Sequence, residues 1–332
     1  MMNKEEIQDL TTSYVGVDIS KDKIDICLLV GDKGVHKIYK NNKIGWESLI
    51  KLLINKKLIP FICMEATGKY HLGLATYMYN QGYKVSVVNP FKIKSFRNTK
   101  LLRNKTDSYD AYAIADYCKL YNPREWKPDS NEKTELRDLY RASESYKAEL
   151  TRQNNKLELF IGSEKLLKVK KETISHINKQ ITKIEVLIEE FISANKEMDK
   201  NRNLLKTIPG IANTTAVALL AELPELDNFK TARELASHIG VTPMHNSSGK
   251  SIYKRTSISK ISNSTLRKAL YFPAITAKNY SKPLSDFATK LLEKGKAKMS
   301  VIIAVMRKLV HIIYGILKSG KIYQDTILKT NE

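Results

Sequence analysis

Between about residues 131 and 201 the chain carries no proline and a single glycine, so nothing in that stretch interrupts a helix. Within it Ile174, Ile177, Ile181, Ile184, Ile188 and Phe191 recur at alternating steps of three and four. That spacing gathers them on one helix face as the seam of a coiled coil. Leu136, Leu139, Leu150, Leu157 and Ile161 supply a looser seam for a preceding helix, with FIGSEK as the turn between the two. An antiparallel helical coiled-coil hairpin over residues 131–201 is therefore expected, closed on itself or pairing with a second copy of the chain. Such a hairpin encloses little core of its own. The folded mass must lie before it and after it.

Residues 12–125 alternate strand and helix patterns. YVGVDIS is a short strand that ends on an aspartate, and Ile24, Ile26, Leu28 and Val30 alternate as a strand with one buried face requires. GVHKIYK follows a turn as a third strand, and a helix is expected from about Ile44 to Lys56 with Trp46, Leu49, Leu52 and Leu53 on one side. PFICME is a buried strand ending on Glu65, and KVSVVN another, with helical segments between and after. A three-strand meander followed by helix–strand–helix–strand–helix is the element order of an α/β RNase H-like domain. YNPREWKPDS reads as a linker. Residues 202–325 read as a mainly α-helical C-terminal domain, in which LLKTIPGIANTTAVALLAEL resembles a helix-hairpin-helix element. Its Pro-Gly turn would either present N–H groups to a phosphate or simply join two packed helices.

Charge narrows the partner. Lys and Arg outnumber Asp and Glu by 56 to 35, for a net charge of +21. A surface this basic calls for a polyanion, nucleic acid first and an anionic membrane second. From Lys250 to Glu332 there are 17 Lys and Arg against 4 Asp and Glu. Lys250, Lys254, Arg255, Lys260, Arg267 and Lys268 are spaced to follow a phosphate backbone. The apolar stretches are short and broken by lysine, so no membrane span is expected, and the N-terminus lacks the apolar core of a secretory signal. Cys27, Cys63 and Cys118 are odd in number and lie apart in apolar runs. That pattern fits reduced core thiols in a cytoplasmic protein rather than a disulfide framework or a zinc site, and the Lys-, Asn- and Ile-rich composition suggests an AT-rich bacterial genome.

Two constellations carry chemistry. Asp18 ends the first strand, Glu65 ends the fourth, and Asp107 and Asp110 share a helix face in KTDSYDAYAIADY. Clustered carboxylates repel one another unless cations lie between them, and two Mg2+ ions roughly 4 Å apart would suit both the acids and a phosphodiester. Each acid also has an ordinary alternative: a helix cap for Asp107, a turn contact for Asp18, solvated helix positions for Asp110 and Asp116. The second constellation is Ser247-Ser248-Gly249 ahead of the basic run. Bottom-up it is a loop, because a serine hydroxyl is a weak nucleophile without help.

The segments VGVDISKDKIDICL, MEATGKYH, VVNPFKIKSFRN, NKTDSYDAYAIADY, IPGIANTTA, LASHIGVTPMHNSSGKS and ISKISNSTLRKALYFPAI occur in an order that resembles one family over nearly the full chain. It is that of the insertion-sequence transposases with a DEDD-type, RuvC-like domain, related to Piv-type DNA invertases and RNA-guided bridge recombinases. The resemblance implies that Asp18, Glu65, Asp107 and Asp110 bind divalent metal, Mg2+ or alternatively Mn2+. It implies that Ser248, directly before Gly249, attacks DNA to give a phosphoserine link. It also implies a dimer or tetramer with a composite site, acids from one subunit and serine from another. Donor and target DNA are the implied partners, together with a structured guide RNA. Ser262-Asn263 stands where the family usually has Gly-Asn, and Ser247 beside Ser248 leaves two serines for one role. The expected function is site-specific recombination of mobile DNA. The alternatives are a RuvC-like nuclease that uses water, and a nucleic-acid-binding protein without activity.

Overall fold

The structure, a computed structural model, describes residues 13–100, 106–248, 252–258 and 263–325, and of 244–248 and 252–257 the backbone alone. The chain divides into two compact units, Met1–Pro128 and Asp129–Glu332.

In the first unit β1 (Ser13–Ile19), β2 (Lys23–Val30) and β3 (Lys33–Lys40) form an antiparallel meander. After α1 (Lys43–Asn55), β4 (Phe61–Glu65) pairs parallel to β1. After α2 (Tyr70–Asn80), β5 (Val85–Val88) pairs parallel to β4, and α3 (Pro90–Thr99) and α4 (Asp107–Tyr121) follow. The sheet order is β3-β2-β1-β4-β5, and the succession of elements is the one expected from the sequence. One face, with Val15, Val17, Ile24, Ile26, Ile62 and Met64, packs on Leu49 and Leu53 of α1 and on Leu74 and Met78 of α2. The other face takes α3 and α4: Cys27 and Leu29 meet Ala111 and Ala115, and Cys63 and Val88 meet Phe96, Ile114 and Cys118.

That second face corrects the reading of β2 as a strand with one buried side. Asp25, Cys27 and Leu29 are as buried as the alternating isoleucines, because α4 lies directly on the sheet. Gly16 sets how closely it lies. A Cβ at Gly16 would stand 2.1 Å from the carbonyl oxygen of Ala111 and 2.3 Å from the nitrogen of Ala115, so only glycine lets the backbones approach this far. Trp126 in the linker donates its backbone N–H to Val85 O, and its ring packs edge-on against Tyr79, which ties the linker to this unit. The three cysteines are buried and free.

The second unit begins with α5 (Asn131–Glu158) and α6 (Glu164–Ala194). Leu136 and Tyr140 pack with Ile188 and Ile192, and Lys147 pairs with Glu185 at 2.8 Å, so the two helices run antiparallel. On α6, Ile177, Ile181 and Ile188 are buried and Ile174, Ile184 and Phe191 half-buried, whereas Ile161, expected in the seam, is exposed. Asn195 caps α7 (Lys196–Lys206) through the N–H groups of Glu197 and Met198. There follow α8 (Asn213–Glu222), α9 (Ala232–Ile239), α10 (Ser264–Tyr280), α11 (Lys282–Glu293) and α12 (Lys298–Ser319).

At the Pro-Gly turn between α7 and α8, Gly210 has φ 88°, and a Cβ there would stand 2.3 Å from Pro273 O of α10, so the turn packs on that helix. Two sequence expectations change here. The Ser-Ser-Gly region, read as a loop, contains the strand β6 (Pro243–Ser248), paired antiparallel with β7 (Ile252–Ile258) and irregular between Met244 and Asn246. Finally, α12 is by length and composition apolar enough to cross a membrane, contrary to the reading of the apolar stretches as too short. Arg307 and Lys308 are its only charges between Lys298 and Lys318. In this fold it is the central core helix, burying Val301, Val305, Leu309, Val310, Ile313 and Ile316 among the other helices.

Candidate active site

The β1–β4 register pairs Val17 with Met64, so Asp18 and Glu65 follow at neighbouring strand ends. Alternation puts both on the face covered by α4, because Val17 and Met64 belong to the opposite face. On α4 the N-cap is Thr106, whose hydroxyl accepts from Tyr109 N at 3.4 Å. The cap is therefore not Asp107. Asp107 and Asp110 stand free of that duty in the first turn, where a helix N-terminus favours negative charge. Since Gly16 lets α4 touch β1 at Ala111 and Ala115, the first turn of α4 is carried to the strand end that holds Asp18. Four of the sequence-predicted residues thus meet at one edge of the sheet.

The electrostatics reflect that crowding. Burial, and then the charges of Asp110, Asp107 and Asp25, push the Asp18 carboxyl up from 3.8 to about 6. Burial, followed by Asp18 and Asp110, also raises Glu65, with Arg97 opposing. Asp107 goes the other way: the Lys23 ammonium, 2.6 Å from Oδ2, holds its carboxyl below the usual carboxylate range. Asp110 is ion-paired with Arg97 of α3. Asp116, expected to be solvated, is instead largely buried and paired with Lys100 at 2.9 Å.

Sequence reasoning missed Asp25, its partner Lys23, and Asn41. Asp25 lies opposite Asp18 in the β1–β2 register and is 3% exposed. Its oxygens lie 3.1 Å from Lys23 Nζ and 3.3 Å from His36 Nε2. The available signal was a charged residue inside an apolar strand, KIDICLLV. Asn41 ties the rim together by donating to Ser20 O and Tyr70 O and accepting from the indole of Trp46.

Among the described residues no three His, Cys, Asp or Glu side chains already stand at metal-ligand separation, and Lys23 and Arg97 take up carboxylate oxygens. The donor set nevertheless suits a hard divalent cation. It is all oxygen, and such a cation would offset both the burial that chiefly raises Asp18 and Glu65 and the repulsion that adds to it.

The second constellation lies in the other unit. Ser248 is the last residue of β6, paired with Ile252, and Ser247 pairs with Tyr253. Lys254 and Arg255 lie on β7, while Lys250 and Lys260 fall outside the described residues. Arg267 donates to Ile239 O at 3.0 Å, linking α10 to the end of α9. The Lys268 side chain is 82% exposed. Asn263, in the Ser-Asn pair that departs from the family pattern, caps α10 through Thr265 N and Leu266 N.

A family model described as a transposase, of the DEDD type and the IS110 group, matches residues 15–161. A second, described as transposase of the IS116/IS110/IS902 family, matches residues 202–289. The chain is 31% identical over 326 residues to the pilin gene-inverting protein of Moraxella bovis, covering 96% of this chain and 99% of that protein. It is 22% identical over 340 residues to the transposase for insertion sequence element IS1111A of Coxiella burnetii, covering 93% and 91% respectively. Among solved structures, T. thermophilus RuvC in complex with a Holliday junction substrate aligns with a TM-score of 0.26 and 12% identity, over 35% of this chain and 99% of that one.

Proposed function

The chain belongs to the IS116/IS110/IS902 family of transposases, and from that membership we propose that it recombines DNA by metal-assisted phosphodiester cleavage and a phosphoserine intermediate. The observation that carries the reading is the gathering of Asp18, Glu65, Asp107 and Asp110 at one sheet edge, with Asp18 raised to about 6. Carboxylates both buried and crowded in this way have a use for positive charge. These four residues would hold divalent cations, two Mg2+ or alternatively Mn2+, which supply charge stabilisation at a scissile phosphate.

Ser248 is the nucleophile in this reading, with Ser247 as the alternative. Its Oγ forms a bond to phosphorus as the bond to the departing strand breaks. The phosphodiester is conserved as a protein–DNA ester, and attack by a strand hydroxyl reverses the step. Lys250, Lys254, Arg255, Lys260 and Lys268 grip the backbone, and Arg267 keeps α10 seated beside α9. The net charge of +21 suits donor and target DNA and a structured guide RNA together. A dimer or tetramer would complete the site with acids from one copy and serine from another. Pairing of copies through the α5–α6 hairpin would use its outer surface, because the isoleucine seam already packs within the chain.

The test is strand cleavage of the DNA flanking the gene by the purified protein with Mg2+ or Mn2+. Asp18→Asn and Glu65→Gln should lose cleavage by about 100-fold or more, as expected when charge stabilisation at a phosphoryl centre is removed, while DNA binding persists. Cleavage by either variant at the wild-type rate would contradict the assignment.

A further inference from the structure

The acids and the serine leave Lys23 and Asp25 without a role. Lys23 begins β2, and its ammonium lies 2.6 Å from Asp107 Oδ2 and 3.1 Å from Asp25 Oδ2. One cation thus bridges a strand residue to the first turn of α4, 84 positions away. The two acids it touches differ in kind. Asp25 is buried, fixed by strand register opposite Asp18, and flanked on its other oxygen by His36. Asp107 has a side chain 54% exposed. Asp25 cannot leave, whereas Asp107 can change partners.

Five carboxylates stand at this edge: Asp18, Asp25, Glu65, Asp107 and Asp110. Their repulsion would drive the first turn of α4 away from the sheet, against the close packing at Gly16. Positive charge must lie among them whether or not metal is bound. Lysine suits a temporary version of that duty, because its ammonium is a point charge on a flexible stem and can withdraw without disturbing the backbone.

We infer that Lys23 is a built-in stand-in for a divalent cation: anchored on Asp25, it holds Asp107 in place while the acids carry no metal, and releases Asp107 when metal binds. This inference rests on the metal reading of the four acids. It makes Lys23 and Asp25 positioning residues. Metal affinity at the Asp107 side is then set by competition, and Lys23 lowers it.

The experiment is binding of Mn2+ to the full chain, followed by the electron paramagnetic resonance signal of free Mn2+, in wild type, Lys23→Met and Lys23→Arg. Lys23→Met should bind about fivefold more tightly, the scale of one exposed ion pair given up, and Lys23→Arg should stay near wild type. Equal or weaker binding by a folded Lys23→Met overturns the inference. Wild type that binds no Mn2+ removes the metal reading itself, so the two failures are distinguishable. Thermal unfolding provides a second readout should Lys23→Met be unstable without metal. Mn2+ should raise the Tm of Lys23→Met by more than it raises that of wild type, and an equal rise also overturns the inference.

Discussion

Replacing Asp18 by Asn should stabilise the metal-free protein at neutral pH. In the folded chain burial and then Asp110, Asp107 and Asp25 raise the Asp18 carboxyl from 3.8 to about 6. A group whose folded pKa is raised favours folding in its protonated form. The stability it contributes is fully present below about pH 4 and is lost as pH rises through about 6. The full difference corresponds to about 3 kcal/mol. The carboxylate is partly open to water, and screening reduces the figure to ~1–2 kcal/mol. Asn keeps the shape and abolishes the charge, so the variant should gain that amount at pH 8 and little at pH 4. Urea unfolding in EDTA, followed by tryptophan emission, is a suitable assay, because both tryptophans, Trp46 and Trp126, lie in the first unit. A variant no more stable than wild type at pH 8, or a gain of equal size at both pH values, would refute the electrostatic reasoning.

Two further outcomes follow from particular contacts, and a third from the proposed RNA partner. Gly16→Ala should destabilise the first unit by about 3 kcal/mol, since its methyl would overlap the α4 backbone. It should also weaken Mn2+ binding by displacing Asp107 and Asp110, and unchanged binding would separate the helix approach from the site. Arg141 pairs through two nitrogens with Glu222, whose side chain is 3% exposed. Arg141→Met should therefore cost the second unit about 2 kcal/mol by leaving a buried carboxylate unpaired, read as a lower Tm in circular dichroism. Purification from cells carrying the flanking DNA should bring down one discrete RNA encoded beside the gene; random cellular RNA alone would point to readout of DNA by the protein.

Much of the first unit was legible because its strands end on the residues that matter. YVGVDIS and PFICME place an acid directly after an apolar run, and the parallel β1–β4 register then makes those acids neighbours. Asp25 was not legible in the same way. Period-two alternation assigns it to a solvent face, and only α4 pressed onto the sheet turns that face inward. Lys23 was hidden among 56 Lys and Arg, with nothing local to mark a partner 84 positions on. The strand at Ser248 was missed because PMHNSS and IYKRTSI offer no apolar face for alternation to reveal. The two helices of the hairpin were legible from their apolar spacing. The role of α12 was obscured by Arg307 and Lys308, which interrupt a run that otherwise forms the centre of the second core.

Recombination through a serine-linked intermediate is tested by incubating the protein and Mg2+ with DNA spanning the element junction, denaturing, and mapping any covalent peptide–DNA adduct by mass spectrometry. The expected result is an adduct on Ser248 that requires metal, vanishes in Ser248→Ala and vanishes in Asp18→Asn. Metal-dependent cleavage that leaves free DNA ends and no adduct, undiminished in Ser248→Ala, would contradict it and assign the attack to water.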